Sequence, residues 1–287
     1  MSQGVSVIIA TYNAAATLEQ AIISVVDQSY KNIELIIIDG GSTDSTLEIT
    51  EKYKSYISYS VSEKDRGIYD ALNKGIAAAT KEWLYFLGAD DIIIEKNVFQ
   101  KIFAQEDLGI VKLVYGNTRL KSNNKNIGGS RTYNELIRKN ISHQAIFYHK
   151  SLFHNLGNYN LAYKILADYD LNLKIFKNET IQKRFLNTDI CLFNDKGGAS
   201  NIIIDSSFFA DKLHYFIDVE QYSADDPALQ QYNFYYGVTL LLKDKKIEGL
   251  RYCFRSFVAG SRKLFYMLVF VKFILGEIGL LKKIKFV

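Results

Sequence analysis

The chain has 287 residues, of which 48% are hydrophobic and 23% are charged. This balance is typical of globular proteins and excludes an intrinsically disordered chain. The net charge of +4 is mild and its basic residues are unevenly placed, which argues against a protein that binds nucleic acid over its whole surface.

Strand and helix patterns alternate over the first ninety residues. Short apolar, β-branched runs predict four strands, at Val5–Ala10, Ile33–Ile38, Tyr56–Val61 and Trp83–Leu87. Apolar residues at helical spacing lie between these runs and predict the connecting helices. The alternation predicts an α/β protein with a mostly parallel sheet, whose ligands bind beyond the carboxyl ends of the strands.

The second half of the chain has a more mixed pattern. A strand at Leu113–Tyr115 and a helix around Asp170–Lys177 are predicted, and the chain is expected to be mainly helical towards its end. We expect one α/β domain over residues 1–205, made of two halves at about residues 1–110 and 111–205. A helical C-terminal region is expected over residues 206–287.

Two adjacent carboxylates, Asp90 and Asp91, follow the fourth predicted strand. Neighbouring carboxylates repel each other unless a cation lies nearby, and Mg²⁺ or Mn²⁺ commonly bridges such groups to a diphosphate. Aspartate is also favoured at the first residue of a helix, which is the alternative interpretation. The position at the end of a buried strand favours the metal.

Polar residues also follow the first two predicted strands. Asp39 precedes Gly40 and Gly41, which let the backbone approach a ligand, and its carboxylate is suited to hydrogen bonds from a base or a ribose. At Thr11–Asn13, the ring of Tyr12 either stacks on a nucleobase or is an ordinary surface tyrosine. This loop lacks the G-x-G-x-x-G fingerprint, which disfavours a dinucleotide-binding domain.

A polar face is predicted on the third helix. Gly67, Asp70 and Asn73 follow one another at a spacing of three residues, and Asn73 and Gly75 are poor helix formers. Such a face is usually solvated, but the poor helix formers suggest a role beyond helix propensity. The apolar residues of the same helix lie on a different face: Ile68, Leu72 and Ile76.

Three candidates lie in the second half. Asp168 is either a general base that faces a cleft or a helix cap, and the sequence favours neither interpretation over the other. His143 and Gln144 precede a strand-like run, where a lone histidine is more often structural than catalytic. The glycine-rich loop with Gly198 and Ser200 either closes over a phosphate or an acceptor, or forms a turn.

Seven motifs follow one another along the chain: V-S-V-I-I-A-T-Y-N, D-G-G-S-T-D, Y-D-A-L-N-K-G, L-G-A-D-D, H-Q, A-D-Y-D and G-G-A-S. In this order they resemble the motifs of the family 2 glycosyltransferases with the GT-A fold. The resemblance covers roughly the first 200 residues and implies a Rossmann-like sheet flanked by helices. It also implies an inverting enzyme that moves a sugar from a nucleotide sugar, most often a UDP-sugar, to a glycan or lipid-linked acceptor in cell-surface polysaccharide synthesis.

The resemblance implies positions for the donor. Tyr12 and Asp39 would hold the nucleobase, with Thr11 and Asn13 beside them. Asp65 would lie near the nucleotide and the sugar, together with the helix face of Gly67, Asp70 and Asn73. Asp90 would contact the ribose or the sugar.

The resemblance also implies the catalytic groups. Asp91, with Asp90 beside it, would bind the Mn²⁺ or Mg²⁺ that bridges the diphosphate, and Asp168 would deprotonate the acceptor hydroxyl. Two residues depart from the pattern. Gly88 stands where many relatives have an additional aspartate, and Ala167 stands where a glutamate often precedes the base.

The C-terminal region combines basic and apolar residues. Arg251, Arg255 and Arg262 fall within about 40° of one another on an ideal helix, with Phe254 and Phe265 on the neighbouring face. This pattern predicts a helix on an anionic membrane surface. The alternative is a helix packed on the α/β domain or in a homodimer. No run of about 20 apolar residues is free of charges, so a spanning helix is not expected.

Two other functional classes were weighed. A non-catalytic nucleotide-sugar-binding module is disfavoured by the presence of Asp91 and Asp168. A nucleotidyltransferase of similar fold is disfavoured because the first loop is not rich in glycine and basic residues. Residues 1–7 show no secretory signal and Cys191 and Cys253 have no redox or metal-ligand spacing. We therefore expect a cytoplasmic protein, either free or on the inner face of the membrane, with no nucleic-acid partner.

Overall fold

The computed structural model describes residues 3–103, 108–196, 204–259, 266–267 and 271. These residues divide into two compact units. The first takes in the described residues up to 132 and from 141 to 196, and the second takes in residues 133–140 and the described residues from 204 onward. The boundary expected at residue 205 lies beside residues 197–203, which are outside the described residues, and it stays a prediction.

Among the described residues, the first unit contains one sheet of nine strands. The strands are β1 (Val5–Thr11), β2 (Ile33–Asp39), β3 (Tyr59–Ser62), β4 (Trp83–Gly88), β5 (Ile92–Ile93), β6 (Val111–Leu120), β7 (Asn126–Ile127), β8 (Ile146–His149) and β9 (Gln182–Phe193). The helices of this unit are α1 (Leu18–Val26), α2 (Thr46–Lys52), α3 (Ile68–Ala78), α4 (Val98–Phe103), α6 (Ser151–Leu156) and α7 (Ala167–Lys177). Between them in the chain, α5 (Tyr133–Arg138) belongs to the second unit.

The sheet is parallel in its first part and mixed in its second. Its strand order is β3-β2-β1-β4-β8-β6-β9-β5, with β7 paired to β6. The first four strands in this order are parallel, whereas β8 runs antiparallel to β4 and β6. This confirms the expected α/β fold. The sheet was expected to be mostly parallel, and its parallel pairs are joined by antiparallel ones in the second part.

The central strands are apolar on both sides because helices cover both faces of the sheet, as is usual for parallel strands. Val7, Ile8 and Ile9 of β1 have no exposed surface. Helix α3 packs against β1, and a Cβ added at Gly75 would lie 2.4 Å from Cγ2 of Ile8. The glycine in this helix therefore permits a close contact between helix and strand.

Two local predictions are corrected. The third strand begins at Tyr59 rather than Tyr56, because Lys54–Tyr56 form a 3-10 turn. Ile68 was expected in the core, but it is the first residue of α3 and is 38% exposed. Leu72 and Ile76 of the same helix are buried as expected.

The second unit is helical in its described part, as predicted for the C-terminal region. It contains α5, α8 (Ser206–His214), α9 (Gln230–Leu242) and α10 (Lys246–Ala259). Helix α9 packs against both α8 and α10. The hydroxyl of Tyr232 donates to the carbonyl of Ile137 at 3.0 Å, which joins α9 to α5. Among the described residues, no helix combines the length and the apolar character needed to cross a bilayer.

Candidate functional site

The carboxyl ends of the parallel strands bring the predicted donor residues to one edge of the sheet. Thr11 at the end of β1 is in register with Asp39 at the end of β2, and Asp39 is in register with Ser62 of β3. Ala10 of β1 is in register with Gly88 of β4. The loops after these strands are therefore neighbours, as the sequence predicted.

Asp39 is a buried carboxylate that organises the loop after β2. Its Oδ2 accepts hydrogen bonds from the backbone N–H groups of Gly41 and Ser42, at 3.0 and 2.9 Å. The same oxygen accepts from the hydroxyl of Ser62 at 2.6 Å, and Oδ1 accepts from the hydroxyl of Ser42 at 2.5 Å. The carboxylate thus fixes the shape of the loop, and its contact with a nucleobase stays a prediction.

The loop after β1 is bound to the loop after β2. The backbone N–H of Asn13 donates to the hydroxyl of Ser42 at 2.8 Å, and its side-chain oxygen accepts from the N–H of Thr43 at 2.9 Å. Tyr12 directly precedes the anchored Asn13 in the chain, and its side chain is 64% exposed. The hydroxyl of Thr11 is buried and has no hydrogen-bond partner among the described residues. This loop therefore presents an aromatic ring on a fixed backbone.

Asp65 lies against the loop after β2. A Cβ added at Gly40 would be 2.6 Å from Oδ2 of Asp65, so the glycine leaves the space that this carboxylate occupies. Oδ1 of Asp65 accepts from the N–H of Gly67 at 2.9 Å. Gly67 caps the start of α3 with a φ of +122°, a backbone conformation that favours glycine. Asp65 therefore joins the second loop to the start of α3.

Asp70 and Asn73 are bound to protein groups. Asp70 accepts from the guanidinium of Arg66 at 2.8 Å, and this hydrogen bond is the main reason that the pKa of Asp70 is lowered. The side-chain amide of Asn73 donates to the carbonyl of Tyr159 at 2.9 Å and accepts from its N–H at 3.0 Å. Asn73 therefore fixes the backbone of Tyr159, and direct contacts of either residue with a donor stay predictions.

The acid pair lies in a turn. The backbone N–H of Asp91 donates to the carbonyl of Gly88 at 3.1 Å, and β5 follows at once. The helix-cap alternative is wrong, because the next helix, α4, begins only at Val98. Asp91 is 1% exposed, whereas Asp90 is only partly buried.

Both oxygens of Asp91 accept hydrogen bonds from the protein. Oδ1 accepts from the backbone N–H of Asn194 at 2.8 Å, and Oδ2 accepts from the side-chain amide of Gln144 at 2.7 Å. Burial and the charge of Asp90 nevertheless raise the pKa of Asp91 to about 7. A cation at the pair would relieve this repulsion.

Gly88 lies beside both carboxylates. A Cβ at this position would be 2.4 Å from Oδ2 of Asp91 and 3.2 Å from Oδ1 of Asp90. An additional aspartate at position 88 would therefore displace the Asp91 carboxylate from its present place. Gly88, where many relatives have an aspartate, therefore leaves the space that the Asp91 carboxylate occupies.

The acid pair fits a hard divalent cation only together with ligands from a substrate. Among the described residues, no group of three His, Cys, Asp or Glu side chains is placed to hold a metal ion. Mg²⁺ and similar ions are often held by one or two carboxylates plus substrate phosphates. Asp90 is the more accessible of the two, and its Oδ2 accepts a hydrogen bond from the side-chain amide of Asn194 at 3.0 Å. Asp90 is therefore the better-placed candidate for direct metal binding, and metal binding by either carboxylate stays a prediction.

Asp168 lies in the first turn of α7 and is 6% exposed. Leu166, not Asp168, occupies the cap position of this helix. Oδ1 of Asp168 accepts from the hydroxyl of Tyr69 on α3 at 2.6 Å. The carboxylate is thus held by a residue from the first half of the unit.

His143 and Gln144 are adjacent in the chain and lie near the acid pair. Burial lowers the pKa of the His143 imidazole, while the carboxylates of Asp168 and Asp90 act in the opposite direction. His143 therefore lies within electrostatic reach of both groups. Gln144 is buried, and its carbonyl accepts from Tyr85 at 2.8 Å. Gly198 and Ser200, the predicted closing loop, lie outside the described residues.

Sequence reasoning missed two residues of the site. Asn194 contacts both members of the acid pair, and Tyr69 contacts Asp168. Asn194 directly follows a strand, as the other polar residues of this edge do, and that position was a usable signal. No spacing rule indicated that Tyr69 contacts Asp168.

The comparisons with known proteins agree with one another. The family described as Glycosyl transferase family 2 matches residues 6–159. The PGL/p-HBAD biosynthesis glycosyltransferase of Mycobacterium tuberculosis is 38% identical over 208 residues, which are 71% of this chain and 81% of the relative. The poly-beta-1,6-N-acetyl-D-glucosamine synthase of Staphylococcus epidermidis is 32% identical over 132 residues, which are 45% of this chain and 32% of the relative.

Solved structures show the same fold. The S. aureus TarS 1–349 structure in complex with UDP-GlcNAc superposes with a TM-score of 0.68 at 17% identity, over 89% of this chain and 81% of that one. The mannosyltransferase PcManGT from Pyrobaculum calidifontis, in complex with GDP-Man and Mn²⁺, gives a TM-score of 0.56 at 16% identity, over 96% and 81%. The expected GT-A fold is confirmed.

Proposed function

Since the chain belongs to glycosyl transferase family 2 and is a glycosyltransferase, we propose that it transfers a sugar from a UDP-sugar to a hydroxyl of a glycan or lipid-linked acceptor. The observation that carries this proposal is the convergence of four strand ends at one edge. There the exposed ring of Tyr12, the Asp39 loop and the acid pair are neighbours. An exposed aromatic ring offers a stacking surface for a nucleobase, and carboxylates can hold a divalent cation against a diphosphate.

UDP-GlcNAc is the first donor to test. The TarS structure was solved with UDP-GlcNAc and also with UDP, and the S. epidermidis relative is named as a poly-N-acetylglucosamine synthase. The GDP-Man bound to PcManGT makes GDP-mannose the natural comparison donor. We therefore propose a uridine nucleotide, stacked on Tyr12, with GDP-sugars as the alternative.

The residues at the edge divide the work between them. Asp90, supported by Asp91, would hold Mn²⁺ or Mg²⁺ against the diphosphate. The bound ion would neutralise the negative charge that develops on the leaving nucleoside diphosphate. Gln144 and Asn194 hold the buried Asp91 carboxylate in place, because each donates a hydrogen bond to one of its oxygens.

Asp168 would act as the general base. It would take the proton of the acceptor hydroxyl as the hydroxyl oxygen bonds to the anomeric carbon. The bond from that carbon to the phosphate oxygen breaks on the opposite side, and its electron pair leaves with the nucleoside diphosphate. One displacement of this kind inverts the configuration.

The test is a panel of nucleotide sugars with Mn²⁺, in which the release of nucleoside diphosphate is measured. We expect release from UDP-GlcNAc or another UDP-sugar and loss of that release in Asp168→Asn and Asp90→Asn. Binding of a donor without any release, under all acceptors tried, would support the non-catalytic binding module instead. Release of pyrophosphate rather than a nucleoside diphosphate would indicate a nucleotidyltransferase.

We further propose that α10 lies on an anionic membrane, where a lipid-linked acceptor would be found. One face of α10 is apolar and exposed, with Ile247 at 87%, Phe254 at 65% and Val258 at 59% exposure. Exposed lysines near the start of the helix and Arg251 supply positive charge. Arg255 was predicted to contribute to this positive charge, but its Nε lies 3.6 Å from Oδ1 of Asp225 in the same unit, so its charge is paired within the protein. Arg262 and Phe265 lie outside the described residues.

Sedimentation with vesicles tests this surface. We expect binding to vesicles of phosphatidylglycerol, weaker binding to phosphatidylcholine, and loss of both in Phe254→Asp. A matched control is Tyr56→Asp, which adds the same charge at another exposed aromatic residue. Equal vesicle binding by Phe254→Asp and the wild-type protein would overturn the proposed membrane contact. A wild-type dimer that dissociates in Phe254→Asp would instead assign this face of α10 to a homodimer interface.

A further inference from the structure

Helix α3 carries two side chains that bind elements of the second half of the first unit. Tyr69 and Asn73 are four residues apart and so lie on one side of the helix. Asn73 binds both backbone groups of Tyr159, and the ring of Tyr69 packs on the ring of Tyr159 with centroids 5.1 Å apart. The position of the Tyr69 ring is therefore fixed by contacts that do not involve Asp168.

The Tyr69 hydroxyl donates a hydrogen bond to Oδ1 of Asp168 at 2.6 Å. Both residues are buried, with 7% and 6% exposure. Water therefore competes weakly for this bond, and a hydrogen bond to an ionised group is stronger than one between neutral groups. The distance lies in the range of such charge-assisted bonds.

We propose that Tyr69 positions the general base, Asp168, by holding its carboxylate in place for the acceptor hydroxyl. This inference rests on the proposed role of Asp168. It concerns a residue that acts through Asp168 and need not touch the sugar.

The same helix begins at the donor edge. Gly67 caps α3 and donates to Asp65, which lies against Gly40, and Tyr69 follows two residues later. The base on α7 is therefore held by a side chain from the first turn of a helix that starts beside the predicted nucleotide site. Order in the donor loop and the position of the base are thus linked through one short segment.

The test compares Tyr69→Phe with the wild-type protein in the release of UDP from UDP-GlcNAc, or from the UDP-sugar that the panel identifies, with Mn²⁺. We expect kcat to fall about 10- to 100-fold, which is part of what a positioned base contributes. The KM for the donor stays within about twofold, since donor contacts are unchanged. A wild-type kcat, or a loss that appears in KM rather than in kcat, would overturn the inference.

Tyr232→Phe is the matched control. Tyr232 is also buried and donates its hydroxyl to a carbonyl, that of Ile137 in the second unit, at 3.0 Å. The variant loses one tyrosine hydroxyl bond to a backbone carbonyl of the second unit, so its kcat is expected to stay within about twofold of the wild-type value. An equal fall of kcat in both variants would show a general loss of rigidity and would also overturn the inference.

Asp168→Asn separates this inference from the proposed function. If Asp168→Asn keeps wild-type turnover, the assignment of the base fails and the role of Tyr69 fails with it. If Asp168→Asn abolishes turnover while Tyr69→Phe leaves kcat unchanged, only the inference about Tyr69 fails.

Discussion

The backbone N–H of Asn194 donates to Oδ1 of Asp91 at 2.8 Å, although 103 residues separate the two in the chain. The side-chain amide of the same asparagine donates to Asp90 at 3.0 Å. One residue after β9 therefore holds both carboxylates that follow β4. This contact ties the end of the second half of the unit to the proposed metal site.

Asn194→Ala removes the bond to Asp90 and keeps the backbone bond to Asp91. We expect Mn²⁺ to bind about 10-fold more weakly in the presence of UDP, because outer hydrogen bonds to metal ligands typically contribute 10- to 100-fold. Isothermal titration with Mn²⁺ at saturating UDP measures this. Asn126→Ala, which removes an asparagine bond to Asp189 elsewhere in the unit, is the control and is expected to bind like the wild-type protein.

Asp90→Asn and Asp91→Asn are expected to differ. Asp90 is the accessible carboxylate, so Asp90→Asn is expected to abolish Mn²⁺ binding in the presence of UDP. Asp91 already accepts two protein hydrogen bonds, so Asp91→Asn is expected to reduce Mn²⁺ affinity and leave measurable binding. The same titration compares the two variants. The opposite ranking would return the direct ligand to Asp91, as the sequence alone had suggested.

Adjacent aspartates illustrate what the sequence could and could not predict. The apolar runs predicted the central strands, because a strand that is covered on both faces must be apolar on both sides. The ends of these strands predicted the edge of the sheet where the polar residues lie. The proposed ranking of Asp90 and Asp91 as metal ligands depends on how the turn orients each carboxylate. Gln144 and Asn194, which come from distant segments, hold Asp91 in its orientation. No local pattern contains that information.

The helix face of α3 shows the same limit. Asn73 was predicted to matter because it is a poor helix former, and it does bind the backbone of Tyr159. Its neighbour Tyr69 looked like an ordinary aromatic residue. Its contact with Asp168, 99 residues away, exists only after the two halves of the unit have packed.

Gly75→Ala tests the close packing of α3 on β1. Alanine favours a helix over glycine by about 1 kcal/mol, but its Cβ would lie 2.4 Å from Cγ2 of Ile8. Overpacking of this kind costs about 1–3 kcal/mol, so we expect a net loss of stability in urea unfolding. Ala77→Gly, at an exposed position of the same helix, measures the propensity difference alone. A Gly75→Ala protein more stable than the wild type would contradict the contact.

Glu34 makes acid stability testable away from the site. Burial raises the pKa of Glu34, but hydrogen bonds from Ser6 and Thr80 outweigh it and the net pKa is lowered. A lowered pKa in the folded state means that the stabilisation is present above the unfolded value, about 4.3, and is lost as the pH falls through the folded value. We expect Glu34→Gln to be less stable near pH 7 by about 1–3 kcal/mol. The difference should shrink below about pH 4, and a constant difference in urea unfolding would count against it.

The proposed transfer reaction is tested by measuring the release of UDP from a UDP-sugar by the wild-type protein, Asp90→Asn and Asp168→Asn, with Mn²⁺ and after its removal by EDTA. We expect release by the wild-type protein that EDTA, Asp90→Asn and Asp168→Asn each reduce at least about 100-fold, because a positioned base or charge stabilisation at the leaving group is lost. Undiminished release by Asp90→Asn and Asp168→Asn would contradict it.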